Sequence, residues 1–412
     1  MITFDRVEFE KSISISVKKK ATIQSKWEIK RLADILASLE SGKRPKGGVG
    51  EYQSGIPSLG GEHIKLDGTV STNNMKFVPE AFFNNSKQGI LHDLDILICK
   101  DGALTGKTSL FKKNLFLFEK GMVNEHVFIL RVNNACRQKY IFYLLYSIQG
   151  QEILKLNVTG SAQGGLNREN LLNICLPVPP IDIQDKIVSE IEILETKELT
   201  FSLEINNFKD ERDILIVNAS NSLFKLKEIT SKIGSGATPD GGDSSYIQKG
   251  ISLIRSQNVY DNEFYKEGLA FIDDNQAKKL NNVTVEANDI LINITGASVA
   301  RCCIVDKAYL PARVNQHVAI IRTNEKALPK YVQQILVSTK YKSELLSLSE
   351  SSSTREAITK SQLEDFRIPL PPLSEQQKIV NEIEALEDKI ANLEAELATI
   401  PHKKELILKK YL

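Results

Sequence analysis

The sequence predicts an α+β protein in which two globular domains of mixed α/β character are separated by two long helices. The helices are expected to form an antiparallel coiled coil, and the whole arrangement to have pseudo-twofold symmetry. Three observations predict this fold: an internal repeat across most of the 412 residues, short apolar runs in each copy, and a heptad pattern that ends each copy.

The composition is that of an ordinary folded protein, with 42% hydrophobic and 25% charged residues. No apolar run approaches the roughly 20 residues of a membrane helix. Asp5, Glu8 and Glu10 stand where a secretory signal would have its apolar core, so no such signal is expected. Five cysteines without a CxxC pair indicate a reducing, cytoplasmic location. The net charge of +1 neither favours nor excludes nucleic-acid binding.

The internal repeat defines the domain organisation. Its matched segments keep the same order in both copies: Ser41–Gly48 with Ser235–Gly242, Gly55–Ile64 with Gly250–Val259, Asp95–Ala103 with Asp289–Ala297, Val123–Val127 with Val314–Val318, and Leu176–Pro180 with Ile368–Pro372. The offset is 194 residues at Ser41 and Asp95, 191 at Asn124 and 192 at Gln184. A period this long indicates a duplicated domain pair, because solenoid repeats run about 20 to 50 residues. The predicted boundaries are 1–26 for an N-terminal extension, 27–180 and 223–372 for the globular domains, and 181–222 and 373–412 for the long helices.

Short apolar runs, punctuated by glycine, asparagine and proline, predict strands in each globular domain. The predicted strands are Asp95–Cys99 and Val127–Val132 in the first copy, and Asp289–Ile294 and Val318–Arg322 in the second. Loops separate these strands, as expected for a mixed domain.

Heptad patterns predict the two long helices. Apolar residues advance by alternating steps of three and four in the second copy, at Ile379, Ile383, Leu386, Ile390, Leu393, Leu397 and Ile400. The first copy follows the same rule at Ile187, Ile191, Leu194, Phe201, Ile205, Phe208 and Leu215, with Glu198 and Arg212 as polar interruptions. Either seam alone could be an ordinary buried helix face, but two matched seams favour pairing with each other as a spacer. Pro-Pro pairs mark both helix starts, and Pro401 is expected to break or kink the second helix.

Taken together, these features resemble the family of Type I restriction-modification specificity (S) subunits. The motifs that carry the resemblance lie in order over residues 27–412: the opening Trp27–Leu32, the Ser-Gly-x-x-Pro loop, the Asp-Ile-Leu strand, the Asn-x-His-Val strand and the helix start at 369–376. The resemblance implies that each globular domain is a DNA target recognition domain for one half of a bipartite target. It also implies that the long helices set the spacing and dock two methyltransferase subunits, and through them restriction subunits.

In that family catalysis belongs to partner subunits, so the resemblance implies a non-catalytic chain without its own cofactor. S-adenosylmethionine and ATP are expected on the partners. Among residues outside the seam, Glu382, Glu387 and Lys389 are candidates for docking them.

Candidate DNA contacts are basic and small polar residues on the loops of both domains, since such side chains reach phosphates and base edges. In the first domain they are Lys43, Arg44, Lys46, His63, Lys100, Lys107 and Thr108. In the second they are Thr238, Arg255, Ser256, Gln257, Asn258, Thr295, Ser298, Arg301 and Arg313. The pairs Asn124/His126 and Asn315/His317 recur in domains expected to read different sequences, which favours a structural role for them. At β spacing each pair shares one face of its strand.

Motifs for catalysis are missing from the sequence. Gly102–Thr108 resembles a phosphate-binding loop but has three residues between its glycines where a Walker A motif has four. No adenine-methyltransferase loop or zinc spacing of histidines is present. Three alternatives remain open: a coiled-coil adaptor that binds only protein, a DNA-modifying enzyme with a divergent site, and the specificity subunit of a Type IIB-like system.

Overall fold

The computed structural model describes residues 23–48, 52–158, 164–350 and 357–412. It divides into two compact units, Met1–Leu199 with Ala398–Leu412, and Thr200–Leu397. Of the N-terminal extension predicted over 1–26, residues 1–22 lie outside the described part of the chain.

The first unit contains nine strands and the beginning of a long helix within its described residues. In chain order its elements are β1 (Ile29–Arg31), α1 (Leu32–Ile35), β2 (Leu36–Ser41), β3 (Ile56–Leu59), β4 (Lys76–Val78), α2 (Glu80–Asn84), β5 (Ile96–Cys99), β6 (Thr108–Leu110), β7 (Met122–Val123), β8 (Val127–Val132), α3 (Gln138–Tyr146), α4 (Ile148–Leu156), α5 (Arg168–Leu172), β9 (Cys175–Pro177) and the start of α6 (Ile181–Val217).

The second unit repeats this order with one extra strand. Its elements are the end of α6, then β10 (Leu223–Lys225), α7 (Leu226–Ile229), β11 (Thr230–Ser235), β12 (Ile251–Ile254), β13 (Ala270–Ile272), α8 (Asp274–Lys279), β14 (Thr284–Val285), β15 (Ile290–Asn293), β16 (Cys302–Ile304), β17 (Ala312–Val314), β18 (Val318–Thr323), α9 (Pro329–Val337), α10 (Thr339–Glu350), α11 (Lys360–Asp365), β19 (Arg367–Pro369) and most of α12 (Leu373–Tyr411). The end of α12 belongs to the first unit.

Sheet topology is duplicated as well. The first unit has an antiparallel sheet β2-β8-β5-β6, a small sheet β4-β3-β7 in which β3 and β7 are parallel, and the antiparallel pair β1-β9. The second unit has β11-β18-β15-β16, β13-β12-β17-β14 and β10-β19. The internal repeat predicted from the sequence is therefore confirmed, with β14 as an addition to the second copy.

The four strands predicted from apolar runs are all present, as β5, β8, β15 and β18. Strand β5 shows why such a run forms, since both of its faces are buried. In β5, Ile96 and Ile98 belong to the core that the four-stranded sheet shares with α3. Their alternates Leu97 and Cys99 belong to a second core that includes Leu59 of the small sheet. This two-residue alternation follows from strand geometry. It explains why the central strand reads as a continuous apolar run.

Both long helices form, but α6 ends at Val217, before the predicted end at residue 222, whereas α12 fills almost all of 373–412. Helix α6 has 37 residues and α12 has 39, which at about 1.5 Å per residue gives lengths of roughly 55 to 60 Å. Their pairing is antiparallel in the first unit, and an ion pair also joins them in the second. In the first, Lys404 Nζ lies 2.8 Å from Glu198 Oε2 and Lys410 Nζ lies 2.8 Å from Glu190 Oε1. In the second, Lys209 pairs with Glu394.

Of the break or kink expected at Pro401, the break does not occur. Helix α12 continues through Pro401 to Tyr411, although proline lacks an N–H for the helix ladder. Ile400 and Leu408 on either side of it are buried. Packing on this side of the helix thus offsets the lost hydrogen bond. No helix in the described residues combines the length and the apolar content that crossing a bilayer requires.

A buried glutamine fastens the start of each long helix to its globular domain. Gln184 donates from Nε2 to the carbonyl oxygens of Pro179 at 2.8 Å and Ala135 at 3.1 Å, and its Oε1 accepts from Arg137 N at 2.7 Å. Gln376 makes the matching three hydrogen bonds, with the main chain of Pro371, Lys326 and Leu328. Because all polar groups of these side chains are satisfied, their burial is not penalised.

Gly236, which follows β11, lies where no side chain fits, and this generates a stability prediction. A Cβ at Gly236 would fall 1.6 Å from the carbonyl oxygen of Val314, whereas a Cβ at Gly234 would meet no heavy atom within 4 Å. We expect Gly236→Ala to lower the free energy of unfolding by about 3 kcal/mol through overpacking. The control Gly234→Ala should change it by less than about 1 kcal/mol, since glycine itself weakens a strand. Urea unfolding of the full chain measures both, and equal losses would contradict the steric argument.

Candidate nucleic-acid interface

An open groove of about 420 Å³ in the second unit brings together five of the nine residues predicted there. Its walls are the turns that follow β12 and β15 and the turn that precedes β18. The predicted residues that line it are Ser256, Gln257, Thr295, Ser298 and Arg301, and they are joined by Tyr260 and His317. Turns at strand ends keep these side chains on a rigid scaffold.

Two arginines near the groove are stacked on tyrosines. The guanidinium of Arg301 lies 4.6 Å from the ring centroid of Tyr260, and that of Arg255 lies 5.1 Å from the ring of Tyr246. Arg255 is further held by a 2.6 Å hydrogen bond from Nη2 to Gly268 O. Stacking fixes the plane of a guanidinium and leaves its N–H edge for another acceptor. Arg301 can thus offer a pre-oriented cation at the groove.

A chain of four polar side chains, here named the second quartet, extends from the groove: Thr295 and His317 line the groove, and Gln316 and Thr238 continue the chain beyond it. Thr238 Oγ1 donates to Gln316 Oε1 at 2.5 Å, and Gln316 Nε2 lies 2.9 Å from His317 Nε2. On the other side of the ring, His317 Nδ1 lies 2.6 Å from Thr295 Oγ1. This network joins the loop after β11 to the turn after β15.

The first unit carries the same network with charged members at three of its positions, the first quartet: Arg44, Glu125, His126 and Asp101. Arg44 forms an ion pair with Glu125, and Glu125 Oε1 lies 3.4 Å from His126 Nε2. His126 Nδ1 lies 2.8 Å from Asp101 Oδ1 and 3.0 Å from Oδ2. The two units therefore use one arrangement with different polarity.

The repeated asparagines support the histidines of both quartets. Asn124 Oδ1 accepts a hydrogen bond from His126 N at 2.9 Å, and Asn315 Oδ1 accepts one from His317 N at 3.0 Å. These residues form a turn, and the strand begins only at Val127 in the first unit, so the expected shared strand face was wrong. The structural role expected for the asparagines agrees with these contacts.

The remaining basic residues predicted in the first unit are spread over two places. Lys43 and Lys46 are exposed on the loop beside Arg44. Lys100 is half-buried, with its Nζ 3.3 Å from Ser41 Oγ and 4.8 Å from the ring centroid of Phe128. Lys107 lines a separate cleft that also involves the end of α12. The first unit therefore gathers fewer of its predicted residues than the second.

Four predicted residues have side chains buried inside the fold. They are His63, Thr108, Asn258 and Arg313, whose exposed fractions lie between 0% and 8%. Nδ1 of His63 accepts from Gly60 N at 2.9 Å, and Asn258 Nδ2 donates to Tyr265 O at 2.9 Å. Thr108 Oγ1 donates to Gly106 O at 3.1 Å. DNA contact stays a prediction for these four, whose side chains are buried in this structure.

Arg313 illustrates why sequence type alone misleads. Its guanidinium donates to Ala277 O at 3.1 Å, Ala312 O at 2.9 Å and Asn281 Oδ1 at 2.8 Å. Burial lowers its pKa from the ordinary arginine value. A cation so enclosed joins the sheet β13-β12-β17-β14 to the turn beside it.

Sequence reasoning missed four residues of the site: Tyr260, Gln316, Asp101 and Glu125. Glu125 and Gln316 occupy the variable position of the repeated Asn-x-His motif, and Asp101 occupies the place of Thr295 in the repeat. Variation inside a matched motif was the available signal. Tyr260 had none, since an exposed tyrosine is common on protein surfaces.

Groups that suggest other chemistry are scarce in the described residues. No cluster of three or more histidine, cysteine or acidic side chains that could hold a metal occurs there. Burial raises the pKa of Cys136 to about 11 and that of Cys303 to about 12. These thiols are small core residues at neutral pH.

A family profile and individual known proteins match nearly the whole chain, and they name the same family. A profile of the Type I restriction modification DNA specificity domain matches residues 24–207 and again residues 220–402. The MjaVIII specificity subunit of Methanocaldococcus jannaschii is 25% identical over 410 residues, covering 93% of this chain and 91% of its own. The EcoBI specificity subunit of Escherichia coli is 22% identical over 374 residues, covering 81% and 73%.

Solved structures share the fold. The S subunit of a Type I restriction-modification system from M. genitalium superposes with a TM-score of 0.53 at 13% identity, covering 96% of this chain and 98% of its own. A chain from a study of complex assembly and conformational transition in the type I R-M system gives a TM-score of 0.60 at 18% identity, covering 95% and 98%.

Arg313 is buried and Arg301 lies at the groove, so replacing each with alanine tests how much each arginine contributes to stability. We expect Arg313→Ala to lower the free energy of unfolding by about 2 to 3 kcal/mol, because it leaves buried acceptors unsatisfied. Arg301→Ala should lower it by less than about 1 kcal/mol, the contribution of an exposed cation–π contact. Urea unfolding of both variants tests this. A larger loss for Arg301→Ala would mean that Arg301 is chiefly structural.

Proposed function

The chain belongs to the family of Type I restriction-modification DNA specificity domains, and from this premise we propose that it selects a bipartite DNA target for a Type I restriction-modification complex. The observation that carries the proposal is the duplicated quartet. One scaffold of turn, asparagine and histidine recurs in both units, and the residues around the histidine differ. Two equivalent surfaces with different chemistry suit two halves of an asymmetric target.

Contacts with DNA would divide between phosphates and bases. The exposed Lys43 and Lys46, and Arg301 stacked on Tyr260, are placed on the same loops and turns as the quartets. Long basic side chains of this kind neutralise phosphates and position a protein on the duplex. Quartet residues would contribute hydrogen bonds to base edges, which carry the sequence information.

In this proposal the chain does no chemistry itself. Methylation and cleavage would belong to partner subunits that bind S-adenosylmethionine and ATP, in the cytoplasm where the DNA is. The relatives are named specificity subunits of restriction enzymes, and one similar structure comes from a study of complex assembly. These names support an assembly with methyltransferase and restriction subunits.

The long helices would set the gap between the two half-sites and receive two methyltransferase subunits. Of the three docking candidates, Glu387 accepts a hydrogen bond from Asn262 at 3.1 Å and Lys389 lies over the ring of Phe208. Glu382 is exposed. Within the part of the chain described, Glu382 is therefore the candidate least committed to contacts of the fold.

The proposal is tested by expressing the full chain with its methyltransferase and mapping methylated adenines across the host genome. We expect a split motif, two short specified halves separated by a fixed unspecified gap. A continuous motif, or methylation without sequence preference, would overturn the proposal. A complex with partner proteins that binds no DNA at low salt would instead favour an adaptor that binds only protein.

Exchange of one domain predicts a change in one half of the target. Residues 27–180 would be replaced by those of a relative with a different motif, and the methylated motif would be mapped again. Because each unit has its own quartet, only the matching half should change, with the gap retained. A simultaneous change in both halves would contradict separate reading.

Removal of a stacked cation predicts weaker binding with reduced salt dependence. We expect Arg301→Ala to weaken target binding about tenfold and to lower the slope of log affinity against log salt by about 1, as for one lost phosphate contact. Lys340, which stacks on Tyr341 away from the groove, gives the control Lys340→Ala with no expected effect. A titration of labelled duplex at several salt concentrations measures both slopes.

A further inference from the structure

We propose that Asp101 and Thr295 are equivalent specificity-determining residues of opposite hydrogen-bonding sense. Asp101 would accept from a base that carries an amino group, and Thr295 would donate to an acceptor atom of a base. This inference rests on the proposed function and deepens it, because it assigns a chemical class of base to one residue in each unit.

Equivalence of the two positions is set by the backbone. Asp101 pairs with Gly165 in an isolated antiparallel bridge, and Thr295 pairs with Ala357 in another. One residue earlier, Lys100 N donates to His126 O at 2.8 Å and Ile294 N donates to His317 O at 2.9 Å. The side chains of Asp101 and Thr295 therefore leave equivalent points of the two units, each beside the equivalent histidine.

The second quartet fixes Thr295 as a donor. Gln316 accepts from Thr238 through Oε1, so its Nε2 group faces His317 Nε2 as the donor. A ring nitrogen that accepts carries no proton, and in a neutral imidazole the proton is then on Nδ1. His317 Nδ1 thus donates to Thr295 Oγ1. The hydroxyl hydrogen of Thr295 is left to point into the groove that Thr295 lines.

The first quartet fixes the opposite sense at Asp101. A carboxylate has only acceptor sites, so His126 Nδ1 is the donor in its contacts with Asp101 at 2.8 and 3.0 Å. About half of the Asp101 side chain, 48%, is exposed. Its outward lone pairs can therefore accept from another molecule, while the histidine holds the carboxylate in place.

Base chemistry then assigns the contacts. Asp101 would repel phosphates, so on a DNA-binding surface it is suited to the amino groups of cytosine N4 or adenine N6 in the major groove. A threonine hydroxyl can in general donate or accept a hydrogen bond. Because Thr295 already accepts from His317 in the second quartet, it is left to donate to the base. Suitable acceptors are guanine O6 or N7, adenine N7 and thymine O4.

The test is selection of a randomised duplex library on the complex of the full chain with its methyltransferase, followed by sequencing. Wild type should enrich an amino-bearing base at one position of the first half. Asp101→Thr should shift that position towards acceptor bases and lower the amino-base preference about tenfold. Thr295→Val, which keeps the shape and removes the hydroxyl, should lower one preference in the second half about fivefold, and Thr295→Ser should retain it.

Outcomes separate this inference from the function on which it rests. The unaltered half of each variant's motif reports that the complex is intact, and Asp101→Leu provides a second variant of similar shape without an acceptor should Asp101→Thr fail to fold. If wild type selects a split motif and either Asp101→Leu or Thr295→Val leaves it unchanged, the assignment of that residue is wrong. If wild type selects no motif, the proposed function itself fails.

Discussion

Each globular domain is joined to its long helix by the first turns of that helix, which are part of the domain's own core. In the first unit Ile187 and Ile191 of α6 belong to the same buried cluster as the sheet and α3. In the second, Ile379 and Ile383 of α12 do the same. With the satisfied glutamines at the same ends, the helix start becomes an inner element of the domain. The direction of each helix is therefore fixed relative to the loops that carry the quartet of its own unit.

The turns of the candidate interface are constrained from beneath in the same way in both units. The main chain at Gly42 lies against the carbonyl of Val123, where a Cβ would fall at 1.6 Å, as at Gly236. At the other end of the strands that lead to these turns, Arg131 forms ion pairs with Asp95 and Glu40, and Arg322 of the second unit pairs with Asp289 and Glu286. Charges paired this closely and partly buried hold neighbouring strands in one arrangement. Variation at the quartets can thus occur on a scaffold that does not vary.

Much of the architecture could be predicted because its causes are local. Strands β5 and β8 are recognisable as continuous apolar runs because both of their faces are buried. The helices α6 and α12 are recognisable from the spacing of their heptad residues alone. The candidate interface could be predicted less fully from the sequence. Residue type suggested Arg313 and Asn258, but whether a polar side chain faces solvent or a carbonyl depends on tertiary contacts. Tertiary packing likewise explains why α12 continues through Pro401, where the local rule for proline predicts a break.

The shared histidine has a consequence for how the two copies can differ. Asn124 and His126 support Asp101 in the way that Asn315 and His317 support Thr295, although the supported residues differ in charge and size. The same support therefore accommodates an acidic residue in one copy and a hydroxyl residue in the other. The two copies can differ at this position without any change in the scaffold that holds it.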